Sequence, residues 1–227
     1  MAWSVGGEHA FVYFARIGTV VVWQGSLFSS GDEVAARSVE HGRSRQMLDG
    51  GAWVDFRPGW VGGADALCER LMATVPWEAE RRPMYDRVVD VPRLHRFYEA
   101  RCSLPDPSLL ELRRALDAAY QKEMGEPFRT TGLCLYRDGS DSVAWHGDTI
   151  GRASAEDTVV AIVSLGSTRR FLLRRRGGGG ALRFEVSSGD LLVMGGSCQR
   201  TWEHSIPKTR LRVGPRISVQ FRPAGVR

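Results

Sequence analysis

His146 and Asp148 stand two residues apart in Val143-Ala-Trp-His-Gly-Asp148, and a third candidate ligand, His204, lies far downstream in Trp202-Glu-His-Ser-Ile-Pro207. Two imidazoles and one carboxylate form a donor set that binds a divalent iron on one face and leaves positions open on the other. On an extended strand, residues two apart point the same way, so His146 and Asp148 can share one ion. His204 must then be delivered by another strand. A His-x-Asp pair by itself is equally the mark of a surface turn, so the pattern needs support from elsewhere in the chain.

That support comes from Arg216-Ile-Ser-Val-Gln-Phe-Arg222, which alternates strictly. Arg216, Ser218, Gln220 and Arg222 fall on one face of a strand, and Ile217, Val219 and Phe221 on the other. The Cα atoms of the two arginines lie about 20 Å apart along such a strand, at roughly 3.3 Å per residue. Their long side chains can grip the two ends of a five-carbon dicarboxylate, because a guanidinium is planar, always charged and binds carboxylates with two prongs. An exposed strand with charged edges would show the same alternation.

The elements that must position these residues can be read in order. Ala10–Trp23 reads as a strand rather than a signal peptide, since Arg16 interrupts its apolar part. Residues 24–50 are polar and glycine-rich and predict a mobile arm, giving an N-terminal extension over 1–50 and a single domain over 51–227. Residues 51–60 predict a strand that stops at Pro58-Gly59. A helix opens at Gly62-Gly-Ala-Asp65, carries Leu67, Leu71 and Met72, and continues weakly through Trp77–Glu80 until Arg81-Arg82-Pro83. Met84–Tyr98 reads as a β segment interrupted by Pro92. Pro107–Met124 is the clearest helix, with its leucines on one side. Strands are expected over Gly132–Tyr136, Val143–His146, Thr158–Leu165, Arg169–Leu173, Ala181–Val186, Leu191–Met194 and Ile217–Phe221. Short strands with Gly and Asp turns, and helices gathered at the N-terminal side, predict an α+β fold: a double-stranded β-helix (jelly-roll) core flanked by N-terminal helices.

A formal net charge of +5 and a pI near 9.3 point to an anionic partner. Cys68, Cys102, Cys134 and Cys198 are scattered, without zinc-type spacing, and read as reduced thiols of a cytoplasmic protein. No run of 18 apolar residues exists, so no membrane partner is expected. His9, His41 and His95 lack ligand partners in sequence and read as surface or core residues. The chain is expected to be a monomer.

Six segments together resemble the AlkB family of iron(II)- and 2-oxoglutarate-dependent dioxygenases. They are Leu135-Tyr-Arg-Asp-Gly139, His146-Gly-Asp148, Val163-Ser-Leu-Gly166, Gly189-Asp-Leu-Leu-Val-Met-Gly195, His204-Ser-Ile-Pro207 and Arg216–Arg222, in the family's order and spacing. The resemblance covers about Val91 to Arg222. It implies that His146, Asp148 and His204 are the catalytic metal ligands for Fe(II), with 2-oxoglutarate as cosubstrate and dioxygen as oxidant. It assigns Arg216, with Tyr136 beside it, to the far carboxylate of 2-oxoglutarate, and Arg222 with Ser218 to the carboxylate next to the metal. The implied reaction is oxidative demethylation in DNA repair. An N-methyl group is hydroxylated, formaldehyde is shed, and 2-oxoglutarate becomes succinate and CO2.

The implied partner is DNA, with RNA as an alternative, carrying 1-methyladenine or 3-methylcytosine; both lesions disrupt pairing and lower the cost of extruding the base. A nucleotide-recognition segment is expected over 81–100, where Met84 or Tyr85 fills the gap left by the extruded base and Arg93 and Tyr98 line its pocket. Core packing by the same apolar and aromatic residues is the competing reading. Arg174, Arg175 and Arg176, beside four glycines, are expected in a hairpin loop along the phosphate backbone. Two positions depart from the family pattern: Cys134 stands where an asparagine is common, and Thr149-Ile-Gly151 offers no acidic residue to read the base. Two other functions remain open: an oxygenase acting on RNA or protein, and a jelly-roll nucleic-acid-binding module without catalysis.

Overall fold

Side-chain parity along the strands decides which face of each sheet meets a helix layer and which meets a second sheet. The structure is a computed structural model that describes residues 14–16, 19–21, 33–39, 42–84 and 87–226. Its strands are β1 (Phe14–Arg16), β2 (Thr19–Val21), β3 (Ala35–Ala36), β4 (Ser44–Met47), β5 (Trp53–Arg57), β6 (Val61–Gly62), β7 (Glu78–Met84), β8 (Arg87–Tyr98), β9 (Thr130–Tyr136), β10 (Val143–His146), β11 (Val160–Gly166), β12 (Arg169–Arg175), β13 (Ala181–Val186), β14 (Leu191–Gly195), β15 (Trp202–Ile206) and β16 (Arg216–Arg222). Helices α1 (Ala64–Thr74) and α2 (Pro107–Met124) and the short α3 (Cys198–Thr201) complete the order. None of the described helices is long and apolar enough to cross a membrane.

Eight strands form one sheet in the order β4-β5-β14-β11-β16-β9-β8-β7, and four form another in the order β10-β15-β12-β13. On β11 the residues alternate between two cores: Ala161, Val163 and Leu165 join one, and Val160 and Ile162 the other. The first core also takes Leu67 and Leu71 of α1 and Leu109, Leu112, Leu116 and Tyr120 of α2, so it lies between the large sheet and the helices. The second takes Phe171, Leu173, Val186 and Ile206 and lies between the two sheets. Both faces of β11 are therefore buried, which is why Val160-Ala-Ile-Val163 is a continuous apolar run. Each fully buried leucine contributes about 2 kcal/mol of transfer free energy to this packing. The two antiparallel sheets with helices on one outer face are the α+β jelly-roll arrangement expected from the sequence.

Helix α2 runs over the expected residues because its ends are specified. Asp106 accepts the Ser108 N–H at 2.9 Å, Pro107 occupies the first turn, and the Gly125 N–H closes onto the Gln121 carbonyl. Asp106 also accepts from Arg70 Nε at 2.7 Å, tying α1 to α2.

Several expectations need correction. Glu78–Glu80 open strand β7 and are not the tail of a helix, which ends at Thr74; the segment is charged and irregular, and its conformation comes from pairing with β8. Pro92 does not interrupt β8. The β7–β8 register shifts between Ala79 and Arg81, so that Asp90 faces Arg81 and Leu94 faces Ala79, and Pro92 sits in this bulge where no ladder donor is needed. Residues 44–47 are not a free arm: β4 pairs with β5 at the sheet edge, and Arg45 donates to both oxygens of buried Asp55 at 2.7 Å. Arg174 and Arg175 belong to β12 rather than to a loop. The strand required to deliver His204, for which no range was expected, is β15.

Candidate metal centre

Strands β10 and β15 run antiparallel, and their register places His146 directly opposite His204. The two imidazole centroids are 4.2 Å apart. Asp148 lies past the end of β10, so its approach to His146 comes from a turn and not from strand alternation. The Thr149 N–H closes that turn onto the Gly147 carbonyl at 2.8 Å. A Cβ at position 147 would collide with the Gln199 carbonyl oxygen, so the turn seats against α3 only with glycine there. Gln199, itself buried, accepts the Asp148 N–H through Oε1 at 2.9 Å. The result is that ligand atoms of His146, Asp148 and His204 all lie within 4.8 Å of one another.

Hydrogen bonding selects which atoms remain for a metal. His146 Nδ1 faces the Ala144 carbonyl at 2.9 Å and must donate to it, which leaves Nε2 as the acceptor, 4.0 Å from Asp148 Oδ1. Asp148 Oδ2 accepts from Arg222 Nε at 2.7 Å. Burial alone would favour a protonated Asp148, but the Arg222 guanidinium beside it holds the carboxyl well below the usual carboxylate range. Burial pushes His204 down to about 3, with His146 acting in the same direction, and His146 itself is lowered by burial. Two neutral imidazoles and an ionised carboxylate are the protonation states a divalent cation requires. Phe171 stacks on the His204 ring at 5.3 Å and 13°, fixing its plane. This set fits Fe(II) with open positions.

The three ligands border a cavity of about 600 Å3, and the whole polar face of β16 lines it: Arg216, Ser218, Gln220 and Arg222. Ile217, Val219 and Phe221 point into the core on the other side, as the alternation requires. Arg216 is 1% exposed, donates Nε to Ser164 Oγ at 2.8 Å, and lies with its guanidinium carbon 5.2 Å from the Tyr136 ring centroid. Its Nη1 is buried without a hydrogen-bond partner. An unpaired buried guanidinium N–H costs free energy that an anion in the cavity would offset. Ile162, Phe171 and Ile206 supply apolar wall, so the cavity suits a short chain with a carboxylate at each end. Gly132 leaves room beside it: a Cβ there would push the ends of the Gln220 and Arg222 side chains, Oε1 and Nη1, from their places. Ser218 Oγ accepts from Gln220 Nε2 at 2.8 Å, and the Cys134 thiol lies 3.9 Å from Gln220 Oε1.

Of the residues expected to contact substrate, Arg93 lines the cavity and its Nε is buried without a partner. Tyr98 does not reach the cavity. It is five residues from Arg93 on the same strand and so faces the opposite side, in the core with Leu94 and α2. Tyr85 and the Met84 side chain lie outside the described residues, as do His9 and His41. His95 and Phe97, inside the expected recognition segment 81–100 although not singled out in it, share the cavity face with Arg93. Arg174 is held by Glu203 at 2.7 Å and stacks over Trp145 at 3.9 Å, and Arg176 donates to the carbonyls of Arg200 and Gln199. Arg175 is exposed and meets only the exposed Asp49, at 3.4 Å. Gln199 and Phe171 support the centre from elements that carry no motif, and nothing in their local sequence announces them.

The profile of the 2OG-Fe(II) oxygenase superfamily matches residues 63–222. The human alpha-ketoglutarate-dependent dioxygenase alkB homolog 3 is 30% identical over 186 residues, covering 73% of this chain and 64% of that protein. The chain thus spans less than two thirds of that relative's length. The DNA oxidative demethylase ALKBH2 of Arabidopsis thaliana is 34% identical over 134 residues, covering 49% of this chain and 42% of that protein. Among solved structures, OsALKBH1 superposes with a TM-score of 0.54 at 16% identity over 79% of this chain and 100% of that one, a likeness of fold.

Proposed function

Because the chain belongs to the 2OG-Fe(II) oxygenase superfamily, we propose that it is an oxidative demethylase of alkylated nucleic-acid bases, using Fe(II), 2-oxoglutarate and dioxygen and acting in DNA repair. The observation that carries this reading is the joining, in one cavity, of a His146–Asp148–His204 cluster with the orphaned Arg216 N–H. The likeness to AlkB homologues supports a nucleic-acid substrate, and the basic net charge agrees with it. The 1-methyladenine and 3-methylcytosine lesions are the proposed targets.

Fe(II), when bound with 2-oxoglutarate and dioxygen, supplies the oxidation of a methyl C–H bond. The side chains place, charge and shelter the reactants. His146, Asp148 and His204 would hold the ion, while Arg222 keeps Asp148 ionised and turned toward the imidazoles. Arg216, fixed by Ser164 and lying over Tyr136, would receive the far carboxylate of the cosubstrate with its unpartnered Nη1. Phe171, Ile162 and Ile206 exclude water around the cosubstrate's methylenes. The hydroxylated methyl group is a hemiaminal, which releases formaldehyde and leaves the unmodified base. No side chain has to act as a nucleophile.

The test is succinate and formaldehyde release with Fe(II), in the presence and absence of oligonucleotides carrying 1-methyladenine or 3-methylcytosine. Stimulation by methylated DNA is expected. Turnover only with RNA or only with a peptide would replace the substrate, and absence of both iron binding and succinate would leave a binding module without catalysis.

A further inference from the structure

Building on that reading, we propose that Glu80 is a specificity-determining residue, one that selects a cationic base bearing an exocyclic amino group at the outer end of the cavity. Exposure gives the cavity a direction. Arg216 and His204, 1% and 6% exposed, form the inner end, whereas the Glu80, His95 and His146 side chains, 30%, 30% and 36% exposed, reach the opening. The inner wall is rich in positive charge, from Arg93, Arg216 and Arg222. Among the described residues lining the cavity, the carboxylates are Asp148 and Glu80. Asp148 is committed to Arg222 through one oxygen and faces His146 with the other.

A base methylated on the ring nitrogen of its pairing edge is a cation and keeps its exocyclic N–H donors. In a cavity this rich in arginine it needs an anionic acceptor. Thr149 and Ile150, on the turn beyond Asp148, carry no charge. Glu80, in the lining of the same cavity, provides it. It is carried by β7, whose pairing with β8 brings Glu80 Oε2 to 3.4 Å from His95 Nε2, so the ring orients the carboxylate. His95 and Phe97 lie on the same face of β8 as Arg93 and add flat surface on which a base can stack. The geometry therefore divides the cavity into an inner anion site for the cosubstrate and an outer cation site for the base.

The experiment compares wild type with Glu80→Gln on single-lesion oligonucleotides. Two lesions are cationic and amino-bearing, 1-methyladenine and 3-methylcytosine; one is neutral and carries a carbonyl instead, 3-methylthymine. The readouts are kcat/KM for each, and the Kd of the metal-free protein for methylated against unmethylated strand by fluorescence anisotropy. The ratio of kcat/KM between the cationic and neutral lesions should fall by about tenfold, the loss of one charge-assisted hydrogen bond, with a matching fall in binding discrimination. Glu80→Asp should recover part of the preference. Because the readout is a ratio, a variant that merely folds poorly does not imitate the effect. An unchanged ratio in both measurements overturns the assignment of Glu80 while leaving the demethylase reading intact. A wild type that oxidises none of the three bases overturns that reading, and the role of Glu80 with it.

Discussion

Arg222 donates from Nε to Asp148 Oδ2 over 2.7 Å, with the side chains 11% and 7% exposed. One carboxylate oxygen is thus occupied by the protein itself, and the other is left toward the two imidazoles. Asp148 would thus offer a metal its Oδ1, the oxygen on the His146 side.

Asp148→Ala should therefore abolish iron retention and turnover. The loss should exceed the roughly 10–100-fold that follows removal of a group merely supporting a metal ligand. Iron content after desalting and succinate release measure it. Affinity for a DNA oligonucleotide should stay within about twofold, since Asp148 is placed here at the metal and contacts no phosphate. A large fall in DNA affinity would count against that placement.

Arg216→Lys keeps a positive charge but loses the fork. It should raise the KM for 2-oxoglutarate by about 10–100-fold, the value of one or two charged hydrogen bonds, while iron content is unchanged. An unaltered KM would remove Arg216 from the cosubstrate site.

The metal-free protein should lose stability as pH falls below about 6.5, the ordinary imidazole value. Folded, His204 is held neutral down to about 3 by burial. The unfolded chain binds a proton across this window and the folded chain does not, so the difference favours unfolding at a slope approaching 1.4 kcal/mol per pH unit. His146 is shifted in the same direction, and Asp148 adds its share only below the usual carboxylate range. Urea denaturation midpoints at several pH values measure the slope, and His204→Gln should flatten it. A midpoint that does not move between pH 7 and 5 would contradict a buried neutral His204.

Of the three arginines at and just past the end of β12, Arg175 and Arg176 are both exposed, but Arg176 is turned onto two backbone carbonyls and Arg174 is spent on Glu203 and Trp145, whereas Arg175 meets the exposed Asp49. Arg175→Ala alone should lower nucleic-acid affinity similarly across sequences and reduce the slope of log affinity against log salt by about 1. Changing all three together should add little further loss of phosphate contact. An identical slope for Arg175→Ala would take this end of β12 out of the interface.

Legibility in the sequence followed how local the determining physics was. The strand Arg216–Arg222 could be read because one face is apolar throughout and the other polar throughout, and Pro107–Met124 because its caps are written at both ends. The metal cluster was readable from residue type and spacing, although its geometry is a strand pair plus a turn rather than one extended strand. Strand β7 was not readable: Glu-Ala-Glu-Arg-Arg-Pro-Met has no period of two, and only the partner strand makes it extended. The two pocket residues expected on β8 cannot both face the cavity, because five residues separate Arg93 from Tyr98 on one strand and an odd spacing puts them on opposite faces. Gln199 and Glu80 could not be found at all, since each acts through a neighbour more than a dozen residues away in sequence.

The pairing of His146 with His204 across adjacent strands has a consequence for how this centre could drift over time. Both nitrogen donors are tied to a backbone ladder, so their spacing is inherited from the sheet and cannot be retuned without sliding one strand past another. Such a slide would swing the imidazole outward and carry its neighbours with it. The oxygen donor, by contrast, hangs on a single glycine turn, held by the Gln199 amide and the Arg222 guanidinium, and is the ligand that a point substitution can most readily relocate.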